Sequence, residues 1–304
     1  MIKKIISRLS IIIKSLPNIL LGALFEYKKH PWTYIFSKLF LSVEYTSTNS
    51  RKYFLKYFKI EKLDENDSKI TLGEDTIIIS NILCDQEGTI RDILLSYFDI
   101  IYSLKVKYPI SVVCIEGPYE NEFLKINDGD YIIDAGANFG LFSFSTCRRK
   151  PNGKVFSFEP IKEVYSVLEK TKAYNNIPNI NNINQSLGIK REDVYFKYDI
   201  NNPGGSHVTE DSGSEKEKVK VEQNSIDNYV FSNNIPKIDF IKMDIEGEER
   251  NALNGARETI LKFKPRLSIC TYHYPEDKKI LTNIIKDIRN DYVFYYSNYK
   301  LYAK

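Results

Sequence analysis

Residues 131–140, YIIDAGANFG, constrain the fold more than any other stretch of this chain. A short buried-strand run enters a loop containing Gly136 and Gly140, and LFSFSTCRR (141–149) then takes up a helical pattern. A strand that reaches a helix through a glycine loop places its carboxyl end beside the helix amino end, where open α/β sheets bind ligands. Gly136 and Gly140 allow a tight turn, and they let a ligand approach the backbone where a Cβ would clash.

The unit repeats along the chain. KVFSFEP (154–160) is a strand stopped by Pro160, and IKEVYSVLEKTKAYNN (161–176) is an amphipathic helix. A strand near 180–186 and a polar Gly/Ser/Glu stretch (201–217) lead to the strand DFIKMDI (239–245). NALNGARETILKF (251–263) reads as a helix, RLSICTYH (266–273) as a strand and EDKKILTNIIKDI (276–288) as a helix. YVFYY (292–296) and YKLYA (299–303), split by Ser297-Asn298, read as a closing hairpin. Strands alternating with helices predict an α/β, Rossmann-like, mostly parallel sheet covered on both faces, with an antiparallel strand from the hairpin. Upstream, TIIIS (76–80) and ISVVCI (110–115) look like strands and TIRDILLSYFDIIYSL (89–104) like a helix. The Asn-rich NNIPNINNIN (175–184) is a compositional bias with no legible function. Three parts result: a basic, aromatic-rich helical extension (1–60), a mixed α/β lead-in (61–125) and the main α/β domain (126–304).

Composition narrows the class. With 42% hydrophobic and 27% charged residues, the chain is neither disordered, collagen-like nor a multi-span membrane protein. Its four cysteines form no C-x-x-C pair, so they read as buried, reduced thiols rather than a disulfide framework or a zinc finger. Charge is uneven: residues 1–60 carry eleven Lys/Arg against two acids, +9, while the whole chain is only +3. In residues 1–16, Ile2, Ile5, Ile6, Leu9, Ile12, Ile13 and Leu16 recur at helical spacing among Lys3, Lys4, Arg8 and Lys14. The pattern is too interrupted to span a membrane. It fits a basic helix resting on an anionic membrane surface, and equally one whose apolar stripe packs on its own domain. Basic residues and aromatics also interleave over 26–60, but no nucleic-acid motif accompanies them.

Glu159 ends the strand after the glycine loop, 25 residues beyond Asp134. A carboxylate there accepts both hydroxyls of a ribose. The dinucleotide fingerprint G-x-G-x-x-G is broken, since Asn138 replaces its second glycine. An adenosine cofactor without a pyrophosphate fits better, which points to S-adenosylmethionine over a nicotinamide dinucleotide. The candidate cofactor residues are Asp134, Gly136, Asn138, Gly140 and Glu159. Asp244 and Glu246 lie two apart at the next strand end, so in an extended chain they face the same way. Such a pair needs a positive partner, supplied by the sulfonium, by Lys242 or by a metal. Alternatively, Glu246 caps the following helix with Gly247 in the turn. Of the three histidines, His30 lies in the extension and His207 in the loop GGSHV (204–208). His273 follows the strand RLSICTY, and as the best-placed general base it joins Asp244 and Glu246 as a candidate catalytic residue. No metal is assigned, the metal-free reading being preferred.

DYIIDAGANFG, FSFEP, KIDFIKMDIEGEE and LSICTYHYPED, in this order and spacing, resemble the FkbM-type S-adenosylmethionine-dependent methyltransferases. Ser225–Asn228, SIDN, is similar to the T-L-D-[DE] segment of that family, whereas Glu248 stands where a small residue is usual. The resemblance runs from about Asp130 to Tyr296. It implies a seven-stranded Rossmann-like methyltransferase fold and O-methylation of a carbohydrate or natural-product hydroxyl, with a small molecule or glycan as acceptor and no nucleic acid. The expected location is cytoplasmic, with residues 1–16 as a candidate peripheral contact at the inner face of the membrane. Two other readings stand beside it: a nucleotide-dependent Rossmann oxidoreductase, and a membrane-surface scaffold with a non-catalytic domain.

Overall fold

The computed structural model describes residues 59–72, 75–85, 89–90, 93, 96, 119–198, 205–209, 218–297 and 299–304. The amphipathic segment 1–16, the aromatic stretch before residue 59 and the strand at 110–115 lie outside the described residues, as does nearly all of the helix at 89–104. Among the described residues no helix is long and apolar enough to cross a membrane.

The lead-in opens with β1 (Lys59–Lys62), β2 (Asp67–Leu72) and β3 (Asp75–Ser80), an antiparallel sheet in sequence order, and the single turn α1 (Asn81–Cys84). The Asp64 carboxylate fixes the first turn by accepting from the backbone N–H groups of Asn66 and Asp67, at 2.7 and 2.8 Å. In β2, Ser68, Ile70 and Leu72 are buried and the residues between them half-buried, the period of a sheet packed on one face.

The main domain follows the predicted alternation: β4 (Tyr131–Ala135), α2 (Leu141–Arg149), β5 (Lys154–Phe158), α3 (Lys162–Asn175), β6 (Ile180–Ile183), β7 (Ser186–Leu187), β8 (Glu192–Lys197), β9 (His207–Val208), β10 (Lys218–Asn224), α4 (Ile226–Ser232), β11 (Phe240–Met243), α5 (Glu249–Asn254), α6 (Arg257–Phe263), β12 (Arg266–Cys270), α7 (Asp277–Ile288), β13 (Phe294–Tyr296) and β14 (Lys300–Ala303). Seven strands form one sheet in the order β13-β14-β12-β11-β4-β5-β6. β12, β11, β4, β5 and β6 are parallel, and the terminal hairpin adds β14 and β13 antiparallel, as the sequence predicts.

Both sheet faces are buried, so successive strand residues enter different cores. Ile132 and Phe240 join α2, α3 and the β1–β3 sheet on one side, while Ile133 and Ile241 join α4 to α7 on the other. The lead-in therefore shares a core with the main domain. Its β3 is tied to α3 by the Ile78 N–H, which donates to Thr171 Oγ1 at 2.9 Å, and by Asn175, which donates to the Thr76 carbonyl.

Two features depart from the sequence expectation. Residues 251–263, expected as one helix, are two helices broken at Gly255. A Cβ there would come within 2.1 Å of the Gly188 carbonyl oxygen, so only glycine lets the two backbones approach. The Gly255 carbonyl accepts from the Asp227 N–H, and the Asp227 carboxylate accepts from the N–H groups of Glu258 and Thr259, starting α6 afresh. This is the physical content of SIDN: Ser225 caps α4 through the Asn228 N–H, and Asp227 caps the first turn of α6. The second departure is a small sheet, β7-β10-β8-β9: only β9 falls in the polar stretch 201–217, and β8 and β10 lie where the sequence suggests no element.

Candidate active site

The carboxyl ends of β4, β5, β11 and β12 meet at one edge. After β4 the chain turns through Gly136 (φ +77°), Asn138 (φ +48°) and Gly140 (φ +78°), three left-handed residues in five. The Gly136 and Ala137 N–H groups both donate to the Phe158 carbonyl at the end of β5, at 3.1 and 2.9 Å. Gly136 lies against β11 so closely that a Cβ would sit 1.9 Å from the Asp244 carbonyl oxygen. Its glycine is therefore dictated by backbone contact.

Behind the loop, register places Lys242 opposite Asp134 across β4 and β11. The two form an ion pair at 2.9 Å with almost no exposure, and Lys242 Nζ also donates to the Gly136 carbonyl at 2.5 Å. Ser143 Oγ donates to the other Asp134 oxygen at 2.6 Å. Asp134 is thus the internal anchor of the loop and does not line the cavity.

A cleft of about 650 Å³, counting the space at its open mouth, lies over this edge. Gly136, Asn138 and Glu159 line one part of it, Asp244 and Glu246 another, and Phe158, Ile161, Leu187 and Phe196 supply apolar wall. Of the five residues expected at a cofactor, Gly136, Asn138 and Glu159 reach the cleft, whereas Asp134 and Gly140 shape the loop from behind. His207 is exposed on β9, its Nδ1 beside the Gly205 carbonyl, while its neighbour Ser206 lines the cleft.

Glu159 is buried, 6% exposed, and its two oxygens each accept one backbone N–H, from Ile161 and from Asn138, both at 2.9 Å. Burial pushes its carboxyl up to about 7 against the pull of those two donors. Each oxygen keeps a further lone pair, so the group is short of donors and faces a cleft. Paired ribose hydroxyls would supply them, which is the test an adenosine cofactor has to meet here. Asn184, from the Asn-rich stretch, holds this corner by donating to the carbonyls of Glu159 and Pro160.

The second part of the site is built differently from the sequence expectation. β11 ends at Met243, and Glu246 (φ +54°) and Gly247 (φ +103°) are left-handed. Asp244 and Glu246 therefore share the cleft through a turn, not through strand alternation. Nor does Glu246 cap the helix. Glu249, the first residue of α5, instead closes the turn ahead of the helix, its Oε1 accepting from the Ile245 N–H at 2.9 Å and its Oε2 from the Gly247 N–H at 3.1 Å. Asp244 accepts from Tyr119 Oη at 2.5 Å and from Tyr272 Oη at 2.9 Å. Burial opposes its ionisation, but Lys242, Lys300 and the Tyr119 hydroxyl outweigh that and hold its carboxyl below the usual range.

His273 lies between two carboxylates, its Nε2 3.4 Å from Glu246 Oε2 and its Nδ1 3.2 Å from Glu249 Oε1. Burial lowers its basicity, yet Glu246 and Glu249 raise it to about 10. Glu246 is pushed up chiefly by burial, in spite of His273. Three residues of the site were missed in the sequence. Glu249 carries the signal of a second acid after the EG turn, Tyr272 stands beside His273, and Tyr119 lies far upstream with no signal at all.

A family model described as methyltransferase FkbM domain matches residues 134–294, more than half of the chain. The chain belongs to the FkbM methyltransferase family. Relatives include methyltransferase sdnD of Sordaria araneosa, 27% identical over 157 residues that cover 42% of this chain and 61% of that protein. Another is the hexuronic acid methyltransferase AglP of Haloferax volcanii, 25% identical over 163 residues, covering 53% of this chain and 64% of that protein. The match thus spans about three-fifths of the length of each. A crystal structure of an FkbM methyltransferase from Methylobacillus flagellatus is 21% identical, covers 74% of this chain and 62% of its own, and aligns with a TM-score of 0.48. In this FkbM-family chain the matched segment contains every cofactor and catalytic candidate named above, but Tyr119 lies before it and Lys300 after it.

Proposed function

We propose that this chain transfers a methyl group from S-adenosylmethionine to a hydroxyl of a carbohydrate or natural-product acceptor, forming a methyl ether. The observation that carries the reading is a single cleft whose walls combine the glycine loop and buried Glu159 with the Asp244–Glu246 edge. Glu159 and the loop at Gly136–Asn138 would hold the adenosine, ribose hydroxyls giving Glu159 the donors it lacks. When bound, the cofactor supplies an already activated methyl group on a sulfonium.

The residues of the chain then align and desolvate the acceptor. Asp244, held ionised by its lysine neighbours and oriented by two phenols, accepts from acceptor hydroxyls. Glu246 lines the cleft whereas His273 does not, so Glu246 takes the hydroxyl proton. His273 orients Glu246 from behind. The carbohydrate part of the proposal draws on the hexuronic acid methyltransferase among the relatives. Incubation with methyl-labelled S-adenosylmethionine and a panel of sugars, uronic acids and hydroxylated natural products tests it. Label recovered in a methyl ether supports the proposal, and label recovered only in amines or esters overturns it.

A further inference from the structure

The proposed reaction leaves one cluster only partly used. Among the described residues, Asp244, Glu249 and His273 each offer one ligand atom within 4.8 Å of the others. His273 has a side chain only 9% exposed, and its two ring nitrogens are buried without a hydrogen-bond partner. Both nitrogens nevertheless face carboxylates. We infer that Asp244, Glu249 and His273 Nδ1 form a binding site for a divalent transition-metal ion at the wall of the cleft.

The surroundings of each ligand support this. A metal-bound imidazole is normally fixed by a carboxylate on its other nitrogen, and ligating carboxylates are themselves hydrogen-bonded. Here Nδ1 lies 3.2 Å from Glu249 and Nε2 3.4 Å from Glu246, and a ring nitrogen comes within 4.8 Å of an Asp244 carboxylate oxygen. Glu249 is held by the N–H groups of Ile245 and Gly247, and Asp244 by the hydroxyls of Tyr119 and Tyr272. Every ligand thus has a partner that aims it. The buried cation nearest in sequence, Lys242, is paired with Asp134, and it is the imidazole that lies between the carboxylates of Glu246 and Glu249. A dication at Nδ1 replaces a ring proton and offsets that charge.

One imidazole with two carboxylates suits Mn²⁺, Fe²⁺ or Zn²⁺ better than Mg²⁺ or Ca²⁺, which prefer all-oxygen sites. Three protein ligands leave positions open, as a catalytic site requires. Asp244 lines the cleft, so an acceptor hydroxyl can share the ion with it. In the step, the acceptor O–H bond breaks with its proton passing to Glu246, and the ion stabilises the alkoxide. That oxygen's electron pair forms the new O–CH₃ bond as the sulfonium–methyl bond breaks and leaves the thioether.

This role rests on the methyltransferase reading, but binding of the ion does not, and the test separates them. Chelator-treated full-length protein is titrated with Mn²⁺ alone, by calorimetry and by loss of the free-ion electron-spin signal, and separately with S-adenosylhomocysteine. One Mn²⁺ per chain is expected. His273→Ala and Asp244→Asn should each weaken it at least tenfold, as should Glu246→Gln, which leaves all three ligands in place. Circular dichroism identifies variants that fail to fold, and the wild-type stoichiometry does not depend on them. Absence of Mn²⁺ binding in wild-type protein overturns the site, as does affinity unchanged in folded His273→Ala and Asp244→Asn. S-adenosylhomocysteine binding without Mn²⁺ removes the metal and leaves the methyltransferase reading; Mn²⁺ binding without S-adenosylhomocysteine does the reverse.

Discussion

Glu159 should make the stability of the cofactor-free protein depend on pH in a direction opposite to that of a salt-bridged carboxylate. Burial lifts its carboxyl to about 7 in the folded chain, from an ordinary value of 4.5. Below pH 4.5 the group is protonated in both states and costs nothing. As pH rises from 4.5 to 7 the unfolded chain gives up its proton while the folded one keeps it, so stability falls, and above 7 the loss is complete. Linkage at ~1.4 kcal/mol per unit gives a contribution that worsens by roughly 2–3 kcal/mol between pH 5 and pH 8. The group is almost fully buried, so solvent screening does not erase this. Glu159→Gln keeps the volume and cannot ionise. Urea denaturation of both proteins at pH 5 and pH 8 isolates the residue, because every other titrating group cancels in the difference. The stability gap between the variant and wild type should shift in favour of Gln by that amount at pH 8. It should shift less with S-adenosylhomocysteine present, since ribose hydroxyls favour the ionised carboxylate. A gap that stays constant within ~0.5 kcal/mol across the two pH values would refute the reasoning that this carboxylate is short of donors.

Other perturbations test separate parts of the account. Gly136→Ala places a Cβ on the Asp244 carbonyl at a left-handed position, so thermal melting should show a loss of at least ~2 kcal/mol and calorimetry a loss of S-adenosylhomocysteine binding. Lys242→Met strands the buried Asp134 carboxylate and should cost about 3–5 kcal/mol in chemical denaturation, with Lys242→Met/Asp134→Asn recovering part of it. Tyr119→Phe removes one donor to Asp244 and should lower methyl transfer roughly tenfold while S-adenosylhomocysteine affinity stays at the wild-type value. Equal losses in both measurements would place Tyr119 in the folding of the cleft and not on the acceptor side. Asp227→Ala removes the acceptor for Glu258 and Thr259 N–H and should destabilise by about 1 kcal/mol, read as a lower melting temperature.

What the sequence made legible follows from how local each signal is. The strand, glycine loop and helix of residues 131–149 are written in neighbouring residues, and the structure places them within a residue of expectation. The parallel pairing of the central strands follows from the alternation, because strands joined through helices return in the same direction. The break in the 251–263 helix was hidden because its cause is Gly188, far away in sequence. The acceptor side was hidden for a similar reason. Strand alternation put Asp244 and Glu246 on one face, but the strand stops at Met243 and the turn that follows is left-handed. Glu249 was passed over as one acid among three in EGEE, and its role shows only when its carboxylate meets the N–H groups of the turn. Tyr119 had no signal because its partner lies 125 residues away. His273 follows β12 at the edge its sequence position suggests, but the two carboxylates that flank it, Glu246 and Glu249, come together only in the fold.

The central claim is that the cleft holds S-adenosylmethionine through Glu159 and the glycine loop. Calorimetric titration of full-length protein with S-adenosylhomocysteine and, in parallel, with NAD tests it most directly. The account predicts one S-adenosylhomocysteine per chain, an affinity at least tenfold weaker in folded Glu159→Gln, and no heat from NAD. NAD binding that displaces S-adenosylhomocysteine, or no binding of either by folded wild-type protein, would contradict it.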